Sequence, residues 1–456
     1  MQDSQPGKEP KVLIAGAGIA GLTLAILLDK ARIEYEIFER NEQIRSVGSA
    51  ACLGFNVMPL MDQLGLLEEL RSISKRVDGT TIFKEDMEVI REIRLRNNKE
   101  LNGYETLVTS RDQFHALLLS RVPKEKIRTN KKIVSLTQDN ESVTITCADG
   151  SSYTGDILVG ADGAYSSVRT ALYTEIKKEG DMPKVDEEEL ISHYLSIMGT
   201  TDPLNPDNYE GLNDVESHCD TIIGEERGLT WRYFTIPNNR ICWRIDLQSS
   251  SVDPSLYDGW LNADYNNYDI DQLPERWKDY KLAIMGDLKG LFENTPKDTI
   301  TKVVLEEKIY ETWKHGRTVL IGDGALNSIL DAIILANAIY EMPSAEQKHV
   351  TKALDDFYLE RFPTSKREMN PSQQLSTIMA GKVTWLDTAG RFLLLKLVPK
   401  YFKEKSLEYN LSYRPQATFL PRIESKGSVP MTPQRPSKKY AAYLKAQAAT
   451  GTNATV

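Results

Sequence analysis

The clearest pattern in the chain is an unbroken apolar run, Val12–Leu28 (VLIAGAGIAGLTLAILL), directly after Lys11. Its first four residues have the short aliphatic make-up of a parallel strand buried on both faces. Ile19–Ala31 has the length and apolar content of a buried helix, and Tyr35–Arg40 (YEIFER) reads as the next strand. The 17-residue run falls short of the roughly 20 that a membrane helix needs. Three glycines interrupt it and no small-residue cleavage site follows, so it reads as a nucleotide-binding β-α-β start rather than a signal segment.

Alternation takes over further along. Thr81–Arg96 and Lys132–Thr146 read as hairpins, the second turning near Asp139-Asn140, and Leu190–Gly199 and Gly228–Leu247 read as strands of a larger sheet. Residues 328–415 are mostly helical in pattern. After Glu424 there are no acids and several prolines, the composition of a disordered tail. The expected organisation is a disordered 1–10; a discontinuous nucleotide-binding domain at 11–80, 101–175 and 301–340; an inserted β-sheet domain at 81–100 and 176–300; a helical region at 341–421; and a disordered 422–456.

Composition narrows the function. Apolar residues make up 41% and charged residues 27% of the 456, with a net charge of −9, which is ordinary globular make-up without the basic domain of a nucleic-acid binder. Four cysteines lie far apart with no CxxC, the pattern of reduced thiols in a cytoplasmic chain. The five histidines are equally scattered, so no metal site is expected.

The candidate chemistry begins at Gly16, Gly18 and Gly21, which spell G-x-G-x-x-G between strand and helix. The first glycine permits the tight turn, the second lets the backbone approach a pyrophosphate, and the third allows close helix–strand packing. The helix N-terminus then faces the phosphates. Glu39, followed by Arg40, ends the second strand about 20 residues on, where a carboxylate accepts both ribose hydroxyls. Two further strands end in acids: GDILVGADGAYSSVR carries Asp162-Gly163, and RTVLIGD ends at Gly322-Asp323. Strands of this kind converge at the carboxyl edge of one parallel sheet, where ligands bind. Helix capping is the alternative reading for Asp162 and Asp323, and a surface ion pair the alternative for Arg111.

Together these segments resemble the para-hydroxybenzoate hydroxylase-type, FAD-dependent class A monooxygenases, over about residues 10–421. The resemblance implies an α/β, Rossmann-like FAD-binding (GR2-type) fold with an inserted β-sheet substrate domain and a helical C-terminal region. It implies that the glycine motif holds the ADP half of FAD, that Asp162-Gly163 lies beside FAD and the incoming nicotinamide, and that Asp323 binds the ribityl chain. Arg111, in LVTSRDQFHALLL, matches an arginine that opens a helix and contacts FAD. Gly48-Ser49-Ala50 and Tyr413–Pro421 (YRPQATFLP) look like the fungal meroterpenoid and indole-diterpene epoxidase branch.

One departure stands out. The family pattern continues after Gly-Asp with a proline-containing loop and a Gly-Gln before Gly-Ala-x-Asn. Here Gly322-Asp323 runs straight into Gly324-Ala325-Leu326-Asn327. At no more than ~3.5 Å per residue, about ten missing residues alter the flavin wall and draw the next helix start toward Asp323. The resemblance implies hydroxylation or epoxidation of a small hydrophobic substrate by NAD(P)H and O2 through a flavin C4a-hydroperoxide. The alternatives are a loop-deleted flavoprotein with impaired or no catalysis (a binding protein, or a splice or gene-model variant) and a flavin-dependent isoprenoid reductase. No catalytic triad is expected. Trp231, Tyr233, Phe234 and Trp243 fall at mixed strand parities; core packing is the blander account, and Tyr233 is the residue singled out as substrate-facing. No membrane span is expected, although Arg391–Phe402 (RFLLLKLVPKYF) has the composition for peripheral membrane contact.

Overall fold

The computed structural model describes residues 9–44, 48–95, 98–188, 192–225, 228–248, 275–306, 308, 310–322, 325–379 and 411–450. Asp323, Arg391–Phe402 and both chain ends lie outside the described residues.

A six-stranded sheet runs in the order Lys314–His315, Thr318–Leu320, Ile157–Gly160, Lys11–Ala15, Glu34–Phe38, Ile127–Arg128. All its neighbours are parallel except the first pair. The apolar run seen in the sequence fills its centre. Val12, Leu13 and Ile14 are buried, as is every residue of the Ile19–Lys30 helix from Ile19 to Leu28. That helix is apolar all round because it lies under the sheet and against the helices Ala325–Tyr340 and Arg111–Leu119, leaving no side for water.

A seven-stranded sheet forms the second layer, in the order Thr301–Glu306, Ser192–Thr200, Arg240–Gln248, Leu229–Ile236, Cys219–Ile223, Gly79–Lys84, Val89–Arg94. The block Gly228–Leu247 is a hairpin. Asn238 and Asn239 turn it with φ of +63° and +56°, the left-handed pair that two-residue hairpin turns require. Thr301–Glu306, assigned from sequence to the nucleotide domain, instead closes the edge of this sheet beside Ser192–Thr200. Small sheets complete the scaffold, one of them Ala50–Leu53, Leu107–Ser110 and Lys75–Arg76.

The expectation of a loose tail from residue 422 is corrected over 422–450. Ser428 and Val429 donate backbone N–H bonds to Glu100 (3.0 Å) and Leu101 (2.8 Å). Buried Arg414 donates to the carbonyl of Asn102, and Lys438–Thr450 is a helix. Composition suggested disorder, but the segment is held by partners from 96 to more than 300 residues away, which local composition does not carry. Among the described residues no helix is long and apolar enough to cross a membrane.

Candidate active site

Two of the three motif glycines are demanded by the protein itself. Gly16 has φ +96°, and a Cβ there would sit 2.7 Å from the Ala161 carbonyl oxygen; a Cβ on Gly21 would sit 2.1 Å from the Gly16 oxygen. Gly18 differs. It caps the helix Ile19–Lys30 in extended geometry that any residue adopts, and a Cβ there would meet nothing within 4 Å. Nothing in the chain requires glycine at 18, so the space before it suits a ligand that approaches the backbone. Helix N–H groups and the dipole make that ligand an anion.

From this point a groove of about 620 Å³ runs along the carboxyl edge of the parallel sheet, lined by Gly16, Gly18, Glu39, Arg40, Arg111, Asp162, Gly163 and Gly322 among others. The Glu39 carboxylate is held in place by the Ala17 N–H on Oε2 (3.0 Å) and by the Asn41 N–H (3.0 Å) and side-chain amide (2.9 Å) on Oε1. A carboxylate has about four acceptor sites, so capacity remains for a ribose hydroxyl. Asp162 spends its carboxylate on the start of the helix Ser167–Glu179. It accepts from Ser166 Oγ (2.5 Å), Ser167 Oγ (3.1 Å) and the Val168 N–H (3.2 Å). The capping role weighed from sequence is therefore the one its contacts show, while Gly163, at φ +78°, turns the backbone along the groove.

Arg111 and Gly322 both line the groove, and Gly48 and Ala50 lie beside Arg111 and Ser110. Arg111 opens its helix with its N–H on the Ser49 carbonyl (2.8 Å), and Ala50 pairs with Ser110 across the adjoining strands. A Cβ on Gly48, at φ +112°, would lie 3.1 Å from Arg111 Cδ and 3.8 Å from Met198 Sδ, so the nucleotide domain meets the seven-stranded sheet here. Gly322 turns at φ +103° with the Ala20 methyl 3.1 Å from its Cβ position. The helix Ala325–Tyr340 follows, close enough that Ser328 lines the same groove.

Tyr233 is not part of this site. It is fully buried in the apolar layer on the opposite side of its sheet, with Trp231, Trp243 and Trp277, and its hydroxyl donates to Asp220 (2.5 Å). The substrate-facing assignment is thus corrected: strand alternation turns Tyr233 inward and its neighbours Arg232 and Phe234 the other way.

His115 was missed. Its Nε2 lies 2.7 Å from the Ala17 carbonyl in the glycine turn, and burial pushes its pKa below the ordinary 6.5. The ring is neutral at pH 7 and donates through Nε2–H. Its spacing from Arg111, four residues along one helix, was the available signal, since both fall on one face. The unfolded chain takes up a proton just below pH 6.5 while the folded one does not, so stability falls as pH drops through that window until the folded ring also protonates. His115→Gln keeps a donor without the titration. Its thermal midpoint should fall less than the wild type's between about pH 7.5 and about pH 5.5; equal losses would rule out this role.

The residues present fit FAD: an anion cradle before Gly18, a carboxylate for the ribose, and an arginine with two glycine turns where the ring end would lie. Residues 9–201 match the FAD binding domain family. The FAD-dependent monooxygenase terM of Tolypocladium album is 26% identical over 404 residues, covering 84% of this chain and 81% of its own. The FAD-dependent monooxygenase ausM of Emericella nidulans is 25% identical over 447 residues, covering 91% and 88%. Among solved structures, Klebsiella pneumoniae HpxO complexed with FAD and uric acid shares the fold, with TM-score 0.67 and 18% identity over 88% of this chain and 96% of that one. So does CtdE in complex with FAD and substrate, with TM-score 0.66 and 16% identity over 97% and 99%.

Fold, groove and relatives together define a flavin-dependent oxygenase. The chain is a FAD-dependent monooxygenase, with FAD as cofactor and NAD(P)H as co-substrate.

Proposed function

We propose that the groove from Glu39 to Gly322 holds FAD, with the ADP half at Gly16–Gly21 and the ring end between Gly48, Arg111 and the start of the Ala325–Tyr340 helix. The substrate is a hydrophobic, isoprenoid-type molecule lying between that end and the seven-stranded sheet. The observation that carries this reading is Gly18, where the protein keeps open a space it does not itself need. Bound FAD supplies the redox chemistry, passing reducing equivalents from NAD(P)H to O2 and one oxygen atom to substrate. The chain's own residues bind and position. Glu39 accepts ribose hydroxyls, and His115 holds the Ala17 turn. The positive end of the Ala325–Tyr340 helix favours negative charge at the ring edge. The seven-stranded sheet covers the site and excludes water.

The test is direct. Purified protein should be yellow, bind one FAD and consume NADPH, and labelled O2 should place label in an oxygenated isoprenoid product. A colourless, well-folded protein would sink this reading. A product with a reduced double bond and no label would favour the reductase instead.

A further inference from the structure

The side of the seven-stranded sheet that meets the nucleotide domain carries chemistry that the reading above leaves unused. Strand register fixes which side chains share that side. In one rung Thr200, Cys242, Phe234 and Cys219 are cross-strand partners, and Cys242, Phe234 and Cys219 pack with Ala50, Val77 and Val108 beneath them. The next rung on the same side is Met198, Arg244, Arg232 and Thr221, with Met198 over Gly48. The third is Ser196, Asp246 and Thr230. A cover for a wholly apolar substrate has no use for two arginines at this place.

Their arrangement is specific. Arg244 Nε donates to Asp246 Oδ1 at 2.6 Å, and Arg232 Nη2 lies 3.4 Å from Asp246 Oδ2. Ser196 Oγ also donates to Asp246. Burial raises the Asp246 pKa, but the two guanidinium groups more than offset it and hold the carboxyl below its usual range. Two cations thus share one carboxylate, leaving an excess positive charge. The thiols beside them add no negative charge, since burial pushes Cys219 to about 12 and Cys242 to about 11. The side chains of Arg232 and Arg244 remain 36% and 31% accessible, whereas Trp231, Tyr233 and Trp243 on the opposite side are at 0–1%. Burial also depresses the Arg232 pKa, and strand register puts it on the side of the sheet where Met198 meets Gly48. Among the described residues its Nε has no hydrogen-bond partner.

We propose that Arg232 and Arg244, oriented by Asp246, form a subsite for a substrate carboxylate, so that the preferred substrate is a hydrophobic acid and not a neutral hydrocarbon or alcohol. The guanidinium fork matches a carboxylate in two parallel bonds. Between side chains partly shielded from water that pairing counts for more than on an open surface. Asp246 prevents the two cations from repelling each other while the site is empty. The proposal rests on the flavin's ring end lying at Gly48 and Arg111.

Farnesoate and farnesol share one isoprenoid body and differ in charge. With the FAD-loaded full chain, binding is read from the perturbed flavin absorbance. Farnesoate should bind about tenfold more tightly than farnesol, and Arg232→Met or Arg244→Met should each remove about tenfold of the farnesoate affinity while leaving farnesol within about twofold. Arg232→Lys and Arg244→Lys should restore part of the preference. Equal weakening of both ligands together with a lowered thermal midpoint would mean a purely structural cluster and overturn the proposal, as would a wild type without preference for the acid. Tryptophan fluorescence reads the same two ligands in protein that has not taken up FAD. Failure of the flavin reading and failure of the acid subsite are therefore separately visible.

Discussion

Gly21→Ala is expected to disrupt the nucleotide domain outright, and Gly18→Ala to leave the fold intact while abolishing most FAD affinity. The two residues are three apart in one motif, so the contrast isolates what each glycine is for. At Gly21 the new methyl would lie 2.1 Å from the Gly16 carbonyl oxygen and 3.3 Å from Ile14 Cγ2. The first neighbour is backbone, fixed because the Gly16 N–H is bonded to the Phe38 carbonyl at 2.8 Å. The helix must therefore lift off the strand it packs on. Overpacking of a core typically costs about 1–3 kcal/mol and more where the obstacle is rigid, so at least ~3 kcal/mol is expected. At Gly18 the methyl meets nothing within 4 Å and the backbone is extended. Stability without FAD should stay within about 0.5 kcal/mol, as for exposed substitutions. FAD binding should weaken on the order of a hundredfold, about 2.7 kcal/mol, because the methyl occupies the anion's place. Urea unfolding of FAD-free protein and FAD titration check both. An alanine at 18 that also unfolds the chain, or that binds FAD normally, would contradict the assignment of that space to a phosphate group.

The same contrast shows what was legible in the sequence. Gly16, Gly21 and Glu39 were readable because their demands are local: a turn, a close contact within five residues, and a strand end on the edge that parallel sheets share. The hairpin register around Asn238-Asn239 was not resolved, since Gly228–Leu247 is apolar and polar at both parities. Tyr233 was misassigned for a related reason. Alternation says that Tyr233 and Arg232 face opposite sides, but which side meets the nucleotide domain is decided by how the sheet seats on Ala50, Val77 and Val108, a contact between distant segments. His115 bonds across 98 positions of sequence, and Val429 pairs with Leu101. Contacts of that length leave no periodic trace. The shortened connection after Gly322 was readable as an anomaly of spacing, but its remedy was not.

That remedy lies in a buried ion pair, and Arg361→Met should cost about 3–5 kcal/mol of stability, the usual penalty for orphaning one charge of a buried pair. Arg361 and Asp331 are 0% and 2% exposed at their side chains, with Nε 2.7 Å from Oδ1. The other Asp331 oxygen accepts the Gly322 N–H at 3.1 Å, and Arg361 Nη2 reaches Asn327 Oδ1 at 3.0 Å and Ser365 Oγ at 3.3 Å. One guanidinium on the helix Gln347–Met379 thus fixes the first turns of the helix Ala325–Tyr340, which in turn fix the Gly322 backbone at the groove. With the connection this short, no loop remains to absorb an error in the helix start. Methionine would leave the Asp331 carboxylate buried with only backbone and no cation, and the first turn would shift to rehydrate it. FAD affinity should fall along with stability, because Gly322 and Ser328 line the groove. Asp331→Asn should cost about as much as Arg361→Met, since the amide still accepts from Gly322 but leaves the buried Arg361 guanidinium without its anion. In the double variant the two penalties should fall well short of additive, by about 1–3 kcal/mol. Unfolding midpoints and FAD titrations of the three proteins measure this. Additive losses, or an Arg361→Met protein that binds FAD as the wild type does, would show that the pair is not what holds the shortened connection in place.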